Sequence, residues 1–363
     1  MTILITGASG FIGRHLCAHL TANEQPVLAL LRQPAQLPAL RQQVDSLGGQ
    51  GHLIQALSGE LTQPGLGLAH PLPRLTAIVH LGARFAWRLD RASAQATNVA
   101  GSLAVTELAR QQGCRLLFVS GFMLENQAHL ATHGVDLERP ERTDWDQVYR
   151  RVGVYEASKL EAAARVRARV AEQGLDAIEI QPALVAGHSD TGDLDPAQPL
   201  YNLIDNLARG RLALVPGTPQ HWLPLVAVDH LSALIARAAV AHRPPAKLLA
   251  LDPATPSLQA MLAQMADLLA RPAPKRHLPL PLLAALLKLP GLPRLMNTAP
   301  ESLHFIQPTR FDTAITDAFL REEGLSRPDI NQVIRASTLH YKTHDKAWKQ
   351  SRCQDPGGLA RPG

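Results

Sequence analysis

A phenol and an ammonium group lie four residues apart in the segment Tyr155-Glu156-Ala157-Ser158-Lys159. Residues at i and i+4 of a helix share one face, so Tyr155 and Lys159 would lie side by side. A free tyrosine ionises near a pKa of about 10, and an adjacent cation favours the phenolate. The pair is a candidate acid/base unit, with a solvated helix face as the alternative interpretation.

A glycine-rich turn near the beginning of the chain is the second candidate. The apolar run Ile3-Leu4-Ile5 is followed by Thr6-Gly7-Ala8-Ser9-Gly10-Phe11-Ile12-Gly13. At this spacing the glycines permit a tight turn, a close approach of backbone to a pyrophosphate, and close packing of a helix on a strand. The helix N-terminus then offers N–H groups to an anion. The segment predicts a dinucleotide-binding strand, turn and helix.

Arg32 follows the second apolar run, where an NAD-binding chain would carry an acidic residue for the ribose 2′-hydroxyl. An arginine at this position can pair with a 2′-phosphate. We therefore expect NADP(H) to be preferred over NAD(H). A surface arginine without a ligand is the alternative.

Composition limits the remaining functional classes. The chain has 363 residues, 46% hydrophobic and 18% charged, which is typical of a globular protein. Aromatic residues make up 4%, which disfavours base-stacking platforms, and the net charge of +5 does not require a nucleic-acid partner. The 15 histidines are scattered along the chain, and no metal site is expected.

Location and partners are less constrained by the sequence. No uninterrupted apolar run reaches about 18 residues, and the odd set Cys17, Cys114 and Cys353 fits reduced thiols, so we expect a cytoplasmic protein. The basic region after Arg271 is interpreted as solvated, with contact to a membrane surface or an acidic partner as the less favoured alternative. The sequence leaves open whether the chain forms a homodimer.

Apolar runs alternate with helical patterns through the first half, which predicts an α/β, Rossmann-type doubly wound parallel sheet. The predicted strands after the first are 27–31, 52–57, 77–81, 115–120 and 177–181. The predicted helices are 11–21, 35–44, 91–111 and 149–171. We expect residues 1–182 to form the NADP-binding domain. Residues 183–345 are predicted to form a smaller, mostly helical substrate lobe interleaved with the end of the sheet, and residues 346–363 a disordered tail.

With these motifs the chain resembles the extended, epimerase-like branch of the short-chain dehydrogenase/reductase superfamily. The resemblance is nearest to thioester reductase and fatty acyl reductase domains, and it covers about residues 2 to 270. The segments that carry it, besides the glycine turn and the Tyr155/Lys159 pair, are Gly59-Glu60-Leu61-Thr62, Ile78-Val79-His80-Leu81-Gly82-Ala83, Thr97-Asn98-Val99-Ala100-Gly101, Gln181-Pro182-Ala183-Leu184-Val185-Ala186-Gly187 and Trp222-Leu223-Pro224-Leu225-Val226-Ala227-Val228-Asp229.

The resemblance implies roles for individual residues. Tyr155 would donate a proton to the substrate oxygen while the nicotinamide delivers hydride, and Lys159 would hold the nicotinamide ribose and lower the pKa of Tyr155. Asn98 would support the lysine or the strand that carries it. The cofactor site implied by the turn and the resemblance together comprises Gly7, Ser9, Gly10, Phe11, Ile12, Gly13, Arg32, Glu60, Leu61, Leu81, Gly82, Ala83, Asn98, Tyr155, Lys159, Pro182 and Val185.

One position departs from the family pattern. Where the family carries a hydroxyl that orients the substrate carbonyl, this chain reads Val119-Ser120-Gly121-Phe122 and has Gly121. Ser120 is the candidate replacement, with a water or a substrate group as alternatives. The favoured function is NADPH-dependent reduction of a carbonyl or acyl thioester on a small, apolar substrate. A redox-neutral sugar epimerase or dehydratase, and a catalytically weak NADP(H)-binding or sensing protein, stay as alternatives.

Overall fold

The computed structural model describes residues 2–68, 71–84, 89–289, 298 and 300–354, with side chains up to residue 344. In this part of the chain a seven-stranded parallel sheet has the order β10-β6-β5-β4-β1-β2-β3. Its strands are β1 (Thr2–Thr6), β2 (Val27–Leu31), β3 (Ile54–Ser58), β4 (Leu75–His80), β5 (Arg115–Val119), β6 (Ala177–Pro182) and β10 (Lys247–Ala250). The predicted Rossmann-type sheet is confirmed.

The order of the strands sets the place of a ligand. The chain winds from β1 outward through β2 and β3, then crosses back to β4 on the other side of β1. In doubly wound sheets, ligands bind beyond the carboxyl ends of the strands where the order reverses. The glycine turn after β1 and the loop after β4 therefore flank this point.

Helices cover the strands as the alternation predicts. They are α1 (Phe11–Ala22), α2 (Leu37–Ser46), α3 (Arg91–Ala94), α4 (Gly101–Gln112), α5 (Gln127–His133), α6 (Trp145–Val152), α7 (Val154–Gln173) and α9 (Val228–Val240). One core cluster joins apolar residues of the strands, such as Ile78 and Phe118, to Val105 of α4 and Val166 of α7. Burying each such side chain contributes about 1.5–3 kcal/mol.

Two predicted helices differ in detail. The helix predicted over 149–171 is two helices, α6 and α7, separated by Gly153, whose φ of +88° does not fit a helix. The helix predicted over 91–111 contains a π-helical segment, Gln95–Ala100, between α3 and α4. Such bulges are common at functional sites, and Asn98 lies in this one.

The chain divides into two compact units. The first comprises residues 1–183, 228–253 and 310–327, so α9 and β10 belong with the sheet. The lobe predicted over 183–345 includes α9, but α9 packs on α1, and nine of its residues are buried, most of them apolar. The helix α12 (Ala314–Glu322) supports β10, where the Thr316 hydroxyl accepts from the Leu249 N–H at 2.9 Å.

The second unit comprises residues 184–227, 254–309 and 328–363. Its strand pairs are β7 (Leu184–Ala186) with β9 (Leu225–Ala227), and β8 (Val215–Pro216) with β11 (His277–Leu278). Its helices are α8 (Pro199–Ala208), α10 (Leu258–Leu268), α11 (Leu280–Leu286) and α13 (Ile330–Gln354). The tail predicted from residue 346 begins as the end of α13, and residues 355–363 lie outside the described part.

Candidate active site

The glycine turn after β1 forms a cradle that side chains would fill. Gly7 has a φ of +74°, and a Cβ on it would lie 2.9 Å from the Gly82 nitrogen. A Cβ on Gly13 would lie 2.1 Å from the Gly7 carbonyl oxygen. Gly10 precedes the first residue of α1, and no acidic residue occurs in the first turn of that helix. The cradle therefore fits a dinucleotide pyrophosphate at the helix N-terminus.

The residues around this turn are not equally accessible. Ser9 and Gly10 are exposed and Ile12 is half-buried, as a cofactor-facing surface requires. Phe11 is buried, packs edge-on against His15 and carries the Arg14 guanidinium 5.0 Å from its ring centroid. The Phe11 side chain thus holds the helix in place, and only its backbone can face a ligand.

Arg32 follows β2 at the carboxyl edge of the sheet and is exposed. It forms no ion pair with a carboxylate in the described part of the chain, so its charge is available to an anion. The adjoining strand is fixed by the Gly59 N–H, which donates to the Leu31 oxygen at 3.1 Å. Glu60 and Leu61 follow directly and are half-buried. Leu61 packs against Gly82, where a Cβ would lie 2.8 Å from its Cδ1 atom.

Asn98 connects the loop after β4 to the helix that carries Tyr155. Its side-chain oxygen accepts from the Arg84 N–H at 2.8 Å, and its amide nitrogen donates to the Ser158 hydroxyl at 2.9 Å. The Ser158 hydroxyl donates to the Tyr155 carbonyl oxygen at 2.8 Å. Asn98 is 1% exposed, so water cannot replace these bonds. It thereby fixes the Leu81-Gly82-Ala83 loop relative to Tyr155, rather than contacting Lys159.

A buried chain of hydrogen bonds at the ends of β1 and β4 was missed from the sequence. The Thr6 hydroxyl accepts from the Gly82 N–H at 3.1 Å and is hydrogen-bonded to His80 Nδ1 at 2.7 Å. The Ser102 hydroxyl donates to the Asn98 backbone carbonyl oxygen and is hydrogen-bonded to His80 Nε2 at 2.8 Å. Burial and the charge of Lys159 lower the pKa of His80 to about 3, so the ring is neutral. Lone histidines give no sequence signal for such a role.

Tyr155 and Lys159 lie on α7, at the carboxyl edge of the sheet. The Lys159 Nζ atom donates to the Val119 oxygen at the end of β5, at 2.7 Å. Burial lowers the pKa of Lys159 to about 8, while the charge of Glu179 acts in the opposite direction. Burial, with a further contribution from Glu156, raises the pKa of Tyr155 to about 12. Both causes act against the lowering of the Tyr155 pKa that the resemblance implies for Lys159, so that lowering stays a prediction.

The structure commits the Ser120 hydroxyl to another partner. It donates to Glu179 Oε1 on β6 at 2.5 Å, and Arg167 of α7 pairs with the other carboxylate oxygen at 2.7 Å. Glu179 is 4% exposed. A hydrogen held by a buried carboxylate is not directed at a substrate carbonyl, so the geometry does not supply the role expected for Ser120. Sequence patterns did not single out Glu179 because its role arises from strand register.

Gly121 leaves a space beside this pair. Its backbone is extended, with φ 178° and ψ 152°, and a Cβ on it would meet no atom of the described residues within 4 Å, its two chain neighbours aside. Of the remaining candidates, Pro182 ends β6 in the first unit, whereas Val185 lies in β7 of the second. Leu81 is half-buried and Ala83 exposed, beside the glycine turn. Across the described residues, no helix is both long and apolar enough to cross a membrane.

The parallel sheet, the glycine cradle and the tyrosine–lysine pair together define an NAD(P)-binding protein of the extended short-chain dehydrogenase/reductase type. Residues 5–235 match the NAD-binding family model described as male sterility protein, and the chain belongs to this family.

Relatives with described functions include reductases. The chain is similar to the isonitrile lipopeptide synthase of Streptomyces coeruleorubidus, with 29% identity over 67% of this chain and 17% of that protein. It is also similar to the 2-alkyl-3-oxoalkanoate reductase of Stenotrophomonas maltophilia, with 30% identity over 59% of this chain and 58% of that protein. The chain thus spans less than two thirds of either relative.

A solved structure shares the fold. The terminal R domain from the myxalamid PKS-NRPS biosynthetic pathway matches with a TM-score of 0.72 and 22% identity, over 95% of this chain and 91% of that one.

Proposed function

We propose that the chain is an NADPH-dependent reductase of an acyl thioester or carbonyl compound attached to an apolar chain. The observation that carries this proposal is that hydrogen bonds join the glycine cradle and the Tyr155/Lys159 pair at one edge of the sheet. Lys159 is bonded to the end of β5, and Asn98 ties the loop beside the glycine cradle to Tyr155. The names of the relatives, a 2-alkyl-3-oxoalkanoate reductase among them, support reduction as the direction.

NADPH bound in the cradle would supply the hydride that reduces the carbonyl carbon. The Gly7, Gly10 and Gly13 turn holds the pyrophosphate, and Arg32 pairs with the 2′-phosphate. Tyr155 donates its hydroxyl proton to the carbonyl oxygen as that oxygen gains charge. From a thioester, the hemithioacetal so formed releases a thiol and leaves an aldehyde.

Lys159 has two tasks in this scheme. It orients the nicotinamide ribose, and its positive charge stabilises the phenolate that Tyr155 becomes after donating its proton. With a pKa of about 8, the ammonium form predominates at neutral pH. The neutral His80 does not compete for the proton of the Lys159 ammonium group. The chain of hydrogen bonds through His80 fixes the Gly82 N–H.

The test is a comparison of binding and turnover in one variant. Purified protein is titrated with NADPH and NADH, and nicotinamide absorbance is then followed with octanoyl-CoA, octanal and a UDP-sugar. Tyr155→Phe should lower kcat by about a hundredfold or more, the scale of a lost general acid, with NADPH affinity within about threefold of wild type.

Tyr149→Phe is the matched control, because the Tyr149 hydroxyl bonds to Glu161 on the same helix pair, at 3.0 Å. It should cost about 1 kcal/mol of stability and leave turnover in place. Conversion of the UDP-sugar without net loss of NADPH would favour the epimerase alternative. NADPH binding with no turnover by wild type, and no difference in Tyr155→Phe, would establish the non-catalytic alternative.

A further inference from the structure

Gly121 differs from the other glycines that the structure describes. Each of the others has either a positive φ, which favours glycine, or a neighbouring atom that a Cβ would touch. Gly121 has neither: its φ of 178° suits any residue, and no described residue beyond its chain neighbours comes within 4 Å of the position of a Cβ. Neither the local backbone nor the packing of the described residues requires a glycine there.

A glycine without such a requirement is unfavourable. It adds conformational freedom to the unfolded chain, and alanine in the same extended conformation would stabilise the fold. What the missing side chain provides is volume. That volume is open to a molecule that binds to the chain.

The position of the space indicates which ligand would occupy it. Gly121 is two residues beyond Val119, so the Cα atoms of Val119 and Gly121 are at most about 7 Å apart. The Val119 oxygen accepts from Lys159. Tyr155 is one helical turn from Lys159 on the same face. The adjacent Ser120 side chain is held by Glu179 and does not enter the space as a donor. The open volume thus lies beside the place where a reacting carbonyl meets Tyr155.

We propose that Gly121 is a specificity-determining residue, whose open space admits a substituent on the carbon next to the reacting carbonyl. The substrate class is then a 2-substituted acyl thioester or aldehyde. This inference rests on the proposed reductase function. It adds that branching at carbon 2 is accepted because no side chain projects from position 121.

The test compares two matched substrate pairs in two variants. We would measure kcat/KM with NADPH for octanoyl-CoA and 2-methyloctanoyl-CoA, and for octanal and 2-methyloctanal. Wild type should reduce both members of a pair. Gly121→Ala and Gly121→Ser should each shift the ratio against the branched substrate by about tenfold or more, the usual effect of one methyl group in a pocket.

Folding and the chemistry of the substitution are controlled separately. Both variants should unfold at or above the wild-type midpoint, because the added atoms enter open space on an extended backbone. Gly48→Ala is the matched control, because Gly48 also has open space but lies in a turn after α2. Its φ of +82° should make that variant less stable, while the substrate ratio stays at the wild-type value.

Five outcomes would overturn the inference. An equal loss of kcat/KM with both substrates would show that position 121 does not select between linear and branched substrates. An increase in kcat/KM for both substrates in Gly121→Ser would show that a hydroxyl group is missing from the space. Weaker NADPH binding in both variants would assign it to the cofactor. A wild type that reduces only the linear member would refute it directly. Wild type reducing neither pair would refute the proposed function, and this inference with it.

Discussion

Glu179 offers the sharpest test of how the charge of Lys159 is maintained. Its carboxylate is buried between the Ser120 hydroxyl and the Arg167 guanidinium, and its negative charge raises the pKa of Lys159. Glu179→Gln keeps the shape and removes the charge. The ammonium form of Lys159 loses a stabilising partner, so the pKa of Lys159 falls below its present value of about 8.

The size of the effect follows from the interaction of two charges within the protein. One pKa unit corresponds to about 1.4 kcal/mol, a moderate value for separated charges at an effective dielectric constant of about 20. A fall from about 8 to about 7 reduces the ammonium fraction at pH 7 from about 90% to about half. At pH 8.5 the fraction falls about eightfold, so the alkaline side of the profile is the more sensitive region.

The assay is the pH dependence of kcat/KM for reduction, measured from pH 6 to 9.5 in wild type and variant. The alkaline limb should lie near pH 8 in wild type and about one unit lower in Glu179→Gln. The neighbouring His80 has a pKa of about 3 and stays neutral throughout, and Tyr155, with a pKa of about 12, keeps its proton until well above this range.

The matched control for this experiment is Glu161→Gln on α7. Glu161 is also 4% exposed and pairs with Arg165 at 2.8 Å, yet the carboxylate that acts on Lys159 is Glu179. Both substitutions should lower stability by about 1–3 kcal/mol, as hydrogen bonds to charged groups do. An alkaline limb that stays in place or moves to higher pH in Glu179→Gln, or that moves equally in both variants, would refute the reasoning.

Two further predictions concern the cofactor half of the site. Arg32→Ala should raise the Kd for NADPH by about tenfold to a hundredfold and change that for NADH by less than twofold, because a charge-assisted bond contributes about 1.5–3 kcal/mol. Arg243→Ala, an exposed control near the amino end of β10, should alter neither Kd. Equal losses of affinity for NADPH and NADH in Arg32→Ala would count against a 2′-phosphate contact. Asn98→Ala should lower stability by about 1–3 kcal/mol and kcat by about tenfold, because it leaves the Arg84 N–H without its acceptor and frees the Gly82 loop. Urea unfolding and steady-state kinetics test this, and wild-type kcat in a destabilised variant would limit Asn98 to a structural role.

The sheet was predictable because its strands are short apolar runs bounded by turn residues. The second strand matches at both ends, Val27 and Leu31, and the others differ by one or two residues at one end or both. The third strand begins at Ile54 instead of residue 52, since Gly51–Leu53 forms a short 3₁₀ turn. The glycine turn was predictable for a related reason: its shape depends on the backbone, and glycine spacing reports directly on the backbone.

The contacts of the catalytic half depend on side-chain direction and register, which sequence periodicity does not resolve. Tyr155 and Lys159 were found because helical spacing places them together, but the partner of Lys159, the Val119 oxygen, is a backbone group on a distant strand. Glu179 looked like one charged residue in an apolar run. Only the pairing of Val119 with Ile180 brings Ser120 and Glu179 within hydrogen-bonding distance.

Glu179 and Gly121 act on the same part of the site from opposite directions. The carboxylate holds the Ser120 hydroxyl, and the glycine contributes no side chain, so neither residue after β5 offers a donor to the reacting oxygen. In the proposed reaction Tyr155 would then polarise the carbonyl, and its proton transfer would depend on the charge of Lys159, whose pKa Glu179 raises. A double variant, Glu179→Gln with Gly121→Ser, separates these effects. The serine fills the open space without restoring the charge, so the double variant should keep the alkaline limb at its lowered position and should shift the ratio of kcat/KM against the branched substrate as Gly121→Ser alone does.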